Sequence, residues 1–432
     1  METELLKSAI RIMQASRLLL MPLLLTGILF APNGARAAGF ALQNQNGAGN
    51  GYAYAGAAAV AQDASTIYFN PAGMTYLAPG HHVSGAGNLL IRSLRFKNTG
   101  SSPFLSYPLG DNGGQAGGLS PIPAFYWSMS LGSAFRLGLG VSPTFGNSTE
   151  WNKTFIGRYQ GRFSEILAIN FNPSFAWQLS EDVSIGAGLN IVKFDADLRS
   201  MVPVTSLLPL PVDVETKMKG DDVGFGYNLG VMFRFSPSTR MGLTYRSTVD
   251  LKVDGRLSAP GTVIPASVAL ELPNTASLAI SHMMSDRLRL LADLTWTGWG
   301  HIPAIVATSR ASGTILANER LGFEDSFRVG LGAQYQYTER LRLHAGFAYD
   351  QSPVRNARDR SVRLPDSDRF WLAVGLNQKL GERTSIDVGY SHVFFKGAEI
   401  ERPTFPNPLL QVVRGSFSTN AHIISLQLNH HF

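Results

Sequence analysis

The sequence of 432 residues predicts an all-β fold, a transmembrane antiparallel β-barrel of about 14 strands with an N-terminal plug in its lumen. Three observations lead to this fold class. Apolar and polar residues alternate with a period of two from about residue 80 onward, short and long connections alternate, and the N-terminus has the order of an export signal. No run of about 20 apolar residues follows residue 38, which argues against a helical membrane protein.

Composition agrees with many short strands. Charged residues make up 16% of the chain, and 44 of its 432 residues are glycine, against an average of roughly 25% charged residues and 7% glycine. Such low charge and an apolar content of 44% exclude a disordered chain. The net charge of +6 is spread along the chain without a basic stripe, so we expect no nucleic-acid partner.

Residues 1–37 have the order of a secretory signal peptide. Three basic residues precede a short apolar stretch over residues 18–30, and Ala35 and Ala37 fit the small-x-small rule for cleavage. The apolar stretch is too short to span a bilayer, although an N-terminal anchor helix is the alternative. Cleavage after Ala37 would make Ala38 the first mature residue, and Met13 is an alternative start.

The segment 167–179 shows the strand pattern most clearly. Phe171, Phe175 and Trp177 share one face, whereas the other face carries asparagine, serine and alanine. A soluble sandwich would place charged residues on its solvated face. We therefore interpret the large face as facing lipid and the small face as lining a crowded interior. This criterion predicts strands near residues 82–96, 121–131, 134–145, 165–179, 182–198, 223–235, 239–253, 275–284, 287–298, 326–337, 340–350, 369–380, 384–395 and 419–432.

The connections between these strands alternate between short and long. Outer-membrane barrels have short periplasmic turns and long extracellular loops, whereas a soluble sandwich or propeller has no reason to alternate. Aromatic residues near strand ends, Trp299 and Trp371 among them, are predicted to form interfacial girdles. We expect a monomer in the outer membrane of a Gram-negative bacterium, in contact with lipopolysaccharide. The terminal Phe432 resembles the signal that the barrel-assembly machinery recognises.

Residues 38–79 do not alternate, and we predict that they form a hatch inside a barrel of residues 80–432. Four motifs in this region resemble the hatch of the outer-membrane long-chain fatty-acid and hydrocarbon transporters (FadL/TodX type). They are Gly39-Phe40-x-Leu42, the glycine-rich run 51–56, Asp63-Ala64-Ser65 and Asn70-Pro71-Ala72-Gly73-Met74. The resemblance implies a plugged 14-stranded barrel that passes hydrophobic compounds by diffusion. Long-chain fatty acids are the favoured substrate, and toluene- or xylene-like aromatics are the alternative.

Two loops carry unusually many apolar residues. An exposed apolar loop costs free energy unless it binds something, so residues 146–164 predict a surface groove that captures substrate. Its predicted binding residues are Trp151, Phe155, Arg158 and Tyr159. The alternative is that these side chains pack on one another or on lipid. The same two interpretations apply to the loop 199–222, which includes an apolar stretch at residues 207–211.

The hatch also contains candidate substrate contacts and a candidate gate. Phe40 and Leu42 are predicted to occupy the pocket when it is empty and to be displaced by substrate. A proline that holds one dihedral and a glycine that frees another suit a bend with two arrangements. The predicted gating residues are Gly39, Asn70, Pro71, Ala72 and Gly73. The alternative is that this element only anchors the hatch to the wall.

Basic residues offer a further contact for a carboxylate. The inward-phased Arg246 is predicted to pair with a substrate head group, or alternatively with Asp250 or a carboxylate of the hatch. Five arginines in the loop 351–368 and at its end are predicted chiefly to contact lipopolysaccharide phosphates, with fatty-acid carboxylates as the alternative. They are Arg355, Arg358, Arg360, Arg363 and Arg369.

Enzymatic alternatives find little support. The nine histidines form no metal-protease motif, and no nucleophile elbow or P-loop occurs. We therefore expect no catalytic residue, no metal site and no cofactor. The inward-phased His344 leaves an outer-membrane hydrolase as one alternative. A general porin is another, although an open pore has no use for a hatch of about 40 residues.

Overall fold

The computed structural model describes residues 40–103, 107–204, 212–404 and 411–432. Three sequence predictions lie outside the described residues: the signal peptide over 1–37, the gating residue Gly39 and the apolar stretch 207–211. Among the described residues, no helix has the length and apolar character needed to cross a membrane.

Nineteen strands occur among the described residues, and every pairing between them is antiparallel. They are β1 (His81–Asn98), β2 (Gly118–Leu131), β3 (Phe135–Glu150), β4 (Phe163–Gln178), β5 (Val183–Val204), β6 (Val212–Ser236), β7 (Thr239–Arg246), β8 (Val249–Ala259), β9 (Thr262–Leu272), β10 (Thr275–Met283), β11 (Leu288–Thr297), β12 (Ala304–Ser309), β13 (Ile315–Arg320), β14 (Ser326–Gln336), β15 (Leu341–Asp350), β16 (Arg369–Lys379), β17 (Thr384–Phe395), β18 (Ala398–Pro403) and β19 (Val412–His431).

Fourteen of the described strands form a closed barrel, as the sequence predicts. Each pairs with the next around the ring, which closes where β1 pairs with β19 in the register Leu90–Ile423. The other strands, β8, β9, β12, β13 and β18, lie in the long connections. One predicted strand, 239–253, divides into β7 and β8 because the Ser247 hydroxyl accepts the backbone N–H of Tyr227 at 2.9 Å and interrupts the ladder.

The two faces of the barrel carry the residues that the alternation predicts. Phe171, Phe175 and Trp177 are exposed on the outer surface, whereas Ser174 and Ala176 are buried on the inner one. The large side chains therefore face lipid, and the small ones leave room inside the barrel.

The prediction of interfacial girdles is wrong for two of its residues. Trp299 and Trp371 are only 1% and 3% exposed. Trp371 occupies an inward position of β16 and meets the ring of Tyr54, with 6.5 Å between the ring centroids. Trp299 begins a short 3-10 helix (Trp299–His301) within a long connection. Proximity to a strand end does not decide which face a side chain takes, since neighbouring strand positions alternate.

The N-terminal segment, residues 40–79, packs against the inner faces of the barrel strands. It contains α1 (Gly47–Asn50), α2 (Ala57–Val60), α3 (Thr66–Phe69) and the 3-10 helix Pro71–Tyr76. Polar side chains of the wall bind its backbone. Gln427 on β19 accepts the N–H of Gly47 at 2.8 Å, and Asp293 on β11 accepts that of Gly56 at 3.1 Å. Because these helices have only one or two turns, such wall contacts supply the hydrogen bonds that the helices themselves lack.

A strained turn of the N-terminal segment is held by an ion pair of the wall. Ala53 and Tyr54 have positive φ values of 51° and 57°, a conformation that costs non-glycine residues free energy. Arg328 donates to the carbonyl of Ala53 and pairs with Asp293 at 3.0 Å. Both charged side chains are buried and compensate each other, so the pair fixes the turn against β11 and β14.

Candidate functional site

The apolar side chains of the connection between β3 and β4 pack inward. Trp151 and Phe155 are 1% and 0% exposed, and their rings stack with centroids 4.3 Å apart. The Trp151 indole donates to the carbonyl of Val362 at 3.0 Å. The exposure on which the predicted capture groove rested is therefore wrong for these two residues. The two rings are buried against neighbouring connections. The sequence of one segment does not show which other segments pack against it.

The hydrogen-bond donors of Arg158 are likewise bound to other residues of the protein. Its guanidinium pairs with Asp213 on β6 at 2.6 Å and donates to the Tyr159 hydroxyl at 2.7 Å. Tyr159 in turn donates to Asp213 at 2.9 Å. Burial, reinforced by Asp213, raises the pKa of Tyr159, so its hydroxyl stays protonated and can donate. This triad ties the connection 151–162 to β6.

A cavity of about 700 Å³ lies between β5, β6 and the long connections. Most of its lining is apolar, and it includes two of the predicted binding residues, Phe40 and Tyr159. Other apolar lining residues are Ile166, Leu198, Val202, Met218, Leu257, Ile305, Ile315, Leu321 and Phe323. A volume of this size suits a drug-sized or longer apolar ligand.

Sequence reasoning missed the part of this lining that comes from residues 304–323. The signal was present, since this long connection, residues 299–325, carries more apolar residues than the one after β3. The interpretation of apolar loops as binding surfaces applies to it equally.

The cavity meets the N-terminal segment at Phe40. The Phe40 ring lies 5.6 Å from that of Phe145 and 5.0 Å from that of Trp299, centroid to centroid. Leu42 belongs to a separate buried cluster with Tyr54 and Trp371. The two residues that the sequence assigns to one pocket therefore do not share it.

The arginines near the loop 351–368 have different surroundings. Arg360 and Arg369 are buried, and Arg369 pairs with Asp350 at 3.3 Å and with Asp366 at 3.4 Å. The Arg360 guanidinium donates to the backbone carbonyls of Asp366 and Glu399. The prediction that the whole group contacts lipopolysaccharide phosphates is therefore wrong for these two, because both are buried and bonded within the protein. Arg358 is exposed, and Arg355 pairs with Glu324 at 3.5 Å.

Arg363 differs from the ion-paired Arg355 and Arg369 in having only neutral acceptors. Partly buried at the cavity wall, it donates to the carbonyls of Phe163 at 2.9 Å and Arg199 at 3.1 Å and to the Ser164 hydroxyl at 2.9 Å. No ion pair joins it to a carboxylate within the described residues. Burial lowers the pKa of the Arg363 guanidinium, which remains charged at neutral pH.

Arg246 also lacks a carboxylate partner in the part of the chain that the structure describes. It bonds the side chain of Asn190, donates to the carbonyl of Tyr68 at 2.9 Å and lies 4.7 Å from the centroid of the Tyr68 ring. The alternative of pairing with Asp250 is wrong, since Asp250 is exposed on β8. Its predicted role toward a substrate head group stays a prediction.

The predicted gating element has the contacts of an anchor. The Asn70 amide donates to the carbonyls of Ala58 at 2.8 Å and Val231 at 3.1 Å, and its oxygen accepts the N–H of Ala72 at 3.1 Å. Pro71 begins the 3-10 helix, where its missing N–H costs nothing. A Cβ at Gly73 would lie 2.1 Å from the Thr66 hydroxyl. These contacts join the N-terminal segment to β6, and the gating role itself stays a prediction.

His344 offers no catalytic arrangement within the described residues. Its ring packs edge-on against that of Tyr52 at 5.5 Å, and no hydrogen bond joins it to a serine or an aspartate there. A general base needs such a partner to orient it and a nucleophile within reach.

A family model described as outer membrane protein transport protein (OMPP1/FadL/TodX) matches residues 28–432. The chain belongs to this family. It is similar to outer membrane protein P1 of Haemophilus influenzae, with 29% identity over 95% of this chain and 98% of the relative. It is also 27% identical to the long-chain fatty acid transport protein of Escherichia coli K12, over 84% of this chain and 89% of the relative.

Solved structures share the fold of this FadL/TodX-family chain. A Pseudomonas aeruginosa FadL homologue superposes with a TM-score of 0.84 at 23% identity, over 91% of this chain and all of that one. The Pseudomonas putida toluene transporter TodX gives 0.65 at 18% identity, over 85% and 94%. The chain is thus an outer-membrane barrel of a Gram-negative bacterium, in a family of transporters for hydrophobic compounds. Because outer-membrane barrels have short periplasmic turns and long extracellular loops, we expect its short turns to face the periplasm and its long connections to face the outside.

Proposed function

We propose that this protein takes up long-chain fatty acids across the outer membrane by passive diffusion. In this proposal the cavity between the extracellular connections captures the acid, and the N-terminal segment acts as the hatch that separates the cavity from the periplasm. The names of relatives leave the substrate open, because one is a fatty acid transport protein and one structural neighbour is a toluene transporter. The choice must therefore rest on the chemistry of the cavity.

The observation that carries the proposal is the charge of Arg363, which has no ion pair within the described residues, at a mostly apolar wall. Two other arginines of the lining do have acidic partners, since Arg402 pairs with Glu319 at 3.1 Å and Arg320 with Asp359 at 2.9 Å. A partly buried cation whose acceptors are all neutral is costly, and a carboxylate would form charge-assisted hydrogen bonds with it. The apolar lining would then hold the hydrocarbon chain. A neutral aromatic hydrocarbon fits the lining but leaves the charge of Arg363 uncompensated.

One observation favours aromatic hydrocarbons as the second candidate. Phe40, Phe145, Trp299 and Phe323 form a contiguous aromatic cluster beside the cavity, with 5.7 Å between the rings of Trp299 and Phe323. Tilted and edge-on ring pairs of this kind would also suit a small aromatic solute.

The test is uptake by a deletion strain that carries the wild-type or a variant gene. We expect wild-type protein to restore uptake of radiolabelled oleate, and Arg363→Gln to raise the half-saturating oleate concentration about tenfold through the lost charge-assisted bond. Methyl oleate, which lacks the charge, should be taken up equally by both proteins. Arg355→Gln is the matched control, since it removes an ion-paired cation from the same loop.

Restoration of growth on toluene-class compounds without oleate uptake would contradict the fatty-acid assignment. Equal oleate uptake kinetics of the wild type and Arg363→Gln would show that Arg363 does not bind the substrate.

A further inference from the structure

Three of the arginines that point into the barrel next to its periplasmic turns lie together. Arg234 on β6 and Arg240 on β7 flank the turn at Pro237-Ser238, and Arg289 on β11 follows the turn after β10. They are partly buried and occupy inward positions, because their neighbours Phe233, Phe235 and Leu290 are exposed on the outer surface. These three arginines thus concentrate positive charge on one side of the periplasmic mouth of the lumen.

None of these three charges has an acidic partner within the described residues. Arg234 and Arg240 stand directly opposite each other in the β6–β7 register, an arrangement in which like charges repel. Their contacts are neutral: the Tyr76 ring lies 5.6 Å from Arg234 and 5.0 Å from Arg240, and Arg240 donates to the carbonyl of Val60 at 3.0 Å. Arg289 bonds the sulfur of Met283 at 3.2 Å and Gln334 at 3.4 Å.

The same arginines border a cavity of about 290 Å³. Tyr76 of the N-terminal segment also lines it, as do the hydroxyl-bearing Ser238 and Ser281. Planar guanidinium groups offer several N–H donors each, and their geometry matches the paired oxygens of a carboxylate or phosphate. The volume is sufficient for such a group together with water.

We propose that this cavity is an anion site that takes a carboxylate or phosphate group at the periplasmic mouth of the barrel. Oxyanion binding would offset the repulsion between Arg234 and Arg240 and satisfy donors that the protein leaves to neutral acceptors. If the oxyanion is the head group of a transported acid, the site is a second station on the periplasmic side of the N-terminal segment. Only this role for a transported acid rests on the proposed function, because a site for phosphate does not depend on which substrate the barrel transports.

The test is calorimetric titration of the purified, detergent-solubilised protein with two probes, inorganic phosphate and hexanoate. Titrations are repeated in Arg363→Gln protein, so that the extracellular cavity does not contribute to hexanoate binding. We expect one equivalent of anion to bind, with affinity falling about tenfold or more in Arg234→Gln/Arg240→Gln. Arg234→Lys/Arg240→Lys keeps the charge and should stay within about threefold of wild type. Lys379→Gln, which removes an exposed cation near the periplasmic end of β16, is the control.

Folding of every variant is checked by heat-modifiable gel mobility. If the double glutamine variant does not fold, Arg289→Gln replaces it. Binding of hexanoate supports a station for the transported acid, and binding of phosphate alone supports a site for free or lipid phosphate. Absence of binding to the wild type, or equal affinities of the wild type and the glutamine variant, would overturn the proposal. Oleate uptake that remains dependent on Arg363 in that case would leave the proposed function standing.

Discussion

At the scale of single residues, the inner glycines decide how closely the N-terminal segment approaches the wall. A Cβ at Gly242 on β7 would lie 1.9 Å from the carbonyl oxygen of Ala58, a backbone atom that cannot move independently. Gly87 on β1, in contrast, is exposed on the outer face between the buried Ala86 and Asn88, and it has nothing within 4 Å of the position of its missing Cβ. Gly242 therefore tests whether the segment closes the lumen, and Gly87 is the control for adding a methyl group to a barrel strand away from the segment.

We expect Gly242→Ala to displace the N-terminal segment from β7. Overpacking of this kind costs about 1–3 kcal/mol, and a loosened segment should admit small solutes. The measurements are the temperature at which the folded gel band is lost and the swelling of liposomes in small sugars. Gly87→Ala should match the wild type in both. Equal permeability of the two variants would contradict a closing role for the segment.

Trp151 and Phe155 provide a second test at this scale. Replacing both with serine should weaken uptake at low substrate concentration, because the stack that supports the connection beside Tyr159 is lost. Large-to-small changes of this kind cost about 3–5 kcal/mol each in a core, here within the extracellular connections. Uptake kinetics and gel mobility are measured, with Leu131→Ser at the periplasmic end of β2 as the control. Unchanged uptake kinetics would show that neither residue contributes to the capture of substrate.

At the scale of elements, the N-terminal segment is attached to the wall at several points. Its first described residues continue the sheet, since Leu42 donates to Thr144 at 2.8 Å and Gly146 donates to Phe40 at 2.7 Å. These bonds lie at the irregularity of β3 between Pro143 and Phe145, where the register to β4 shifts. Asn70 and the Arg328–Asp293 pair attach the later residues. The segment can therefore lose its first attachment and keep the others.

Deletion of residues 38–46 tests whether the start of the segment is a gate. We expect a folded barrel with impaired or leaky transport, because the deletion removes Phe40 from the cavity and the bonds to β3. Oleate uptake and permeability to small polar solutes are measured in the same strain. Wild-type uptake without any rise in permeability would mean that these residues only fill space.

At the scale of the whole molecule, closure joins the last strand to the first. The backbone N–H of Phe432 donates to the carbonyl of His81 at 2.9 Å, while its side chain is half exposed. The ring therefore contributes little to the folded barrel. This separates its predicted role as an assembly signal from any role in stability.

We expect Phe432→Ala to reduce the amount of barrel assembled in the outer membrane several-fold while leaving the unfolding temperature of the assembled fraction unchanged. Heat-modifiable gel mobility measures both quantities. Phe235→Ala removes an equally exposed outward ring near a periplasmic turn and should assemble normally. An equal loss in both variants would indicate a general need for surface aromatics instead of a terminal signal.

The candidate site was only partly predictable from the sequence. Tyr159 and Phe40 were chosen for their apolar surroundings and do line the cavity. The same reasoning selected Trp151 and Phe155, which do not line it and are buried in a cluster with Phe96, Val362 and Phe417. In the sequence, apolar residues of a long connection form the same pattern whether they pack on a neighbouring connection or on a ligand. Arg363 was recognised only as one of five arginines, because its lack of an acidic partner depends on residues up to 200 positions away.

The sequence by itself determined the fourteen barrel strands, their inward and outward faces and the closure of the barrel, because the period-two pattern is local and every strand that crosses the bilayer needs it. It did not predict β9, β12, β13 and β18, which lie in the long connections. The tertiary structure alone decided which arginines have partners, which aromatic rings are exposed and where the cavities lie. These properties depend on contacts between connections and strands that are distant in the chain. The composition of one segment carries no information about what another segment places beside it.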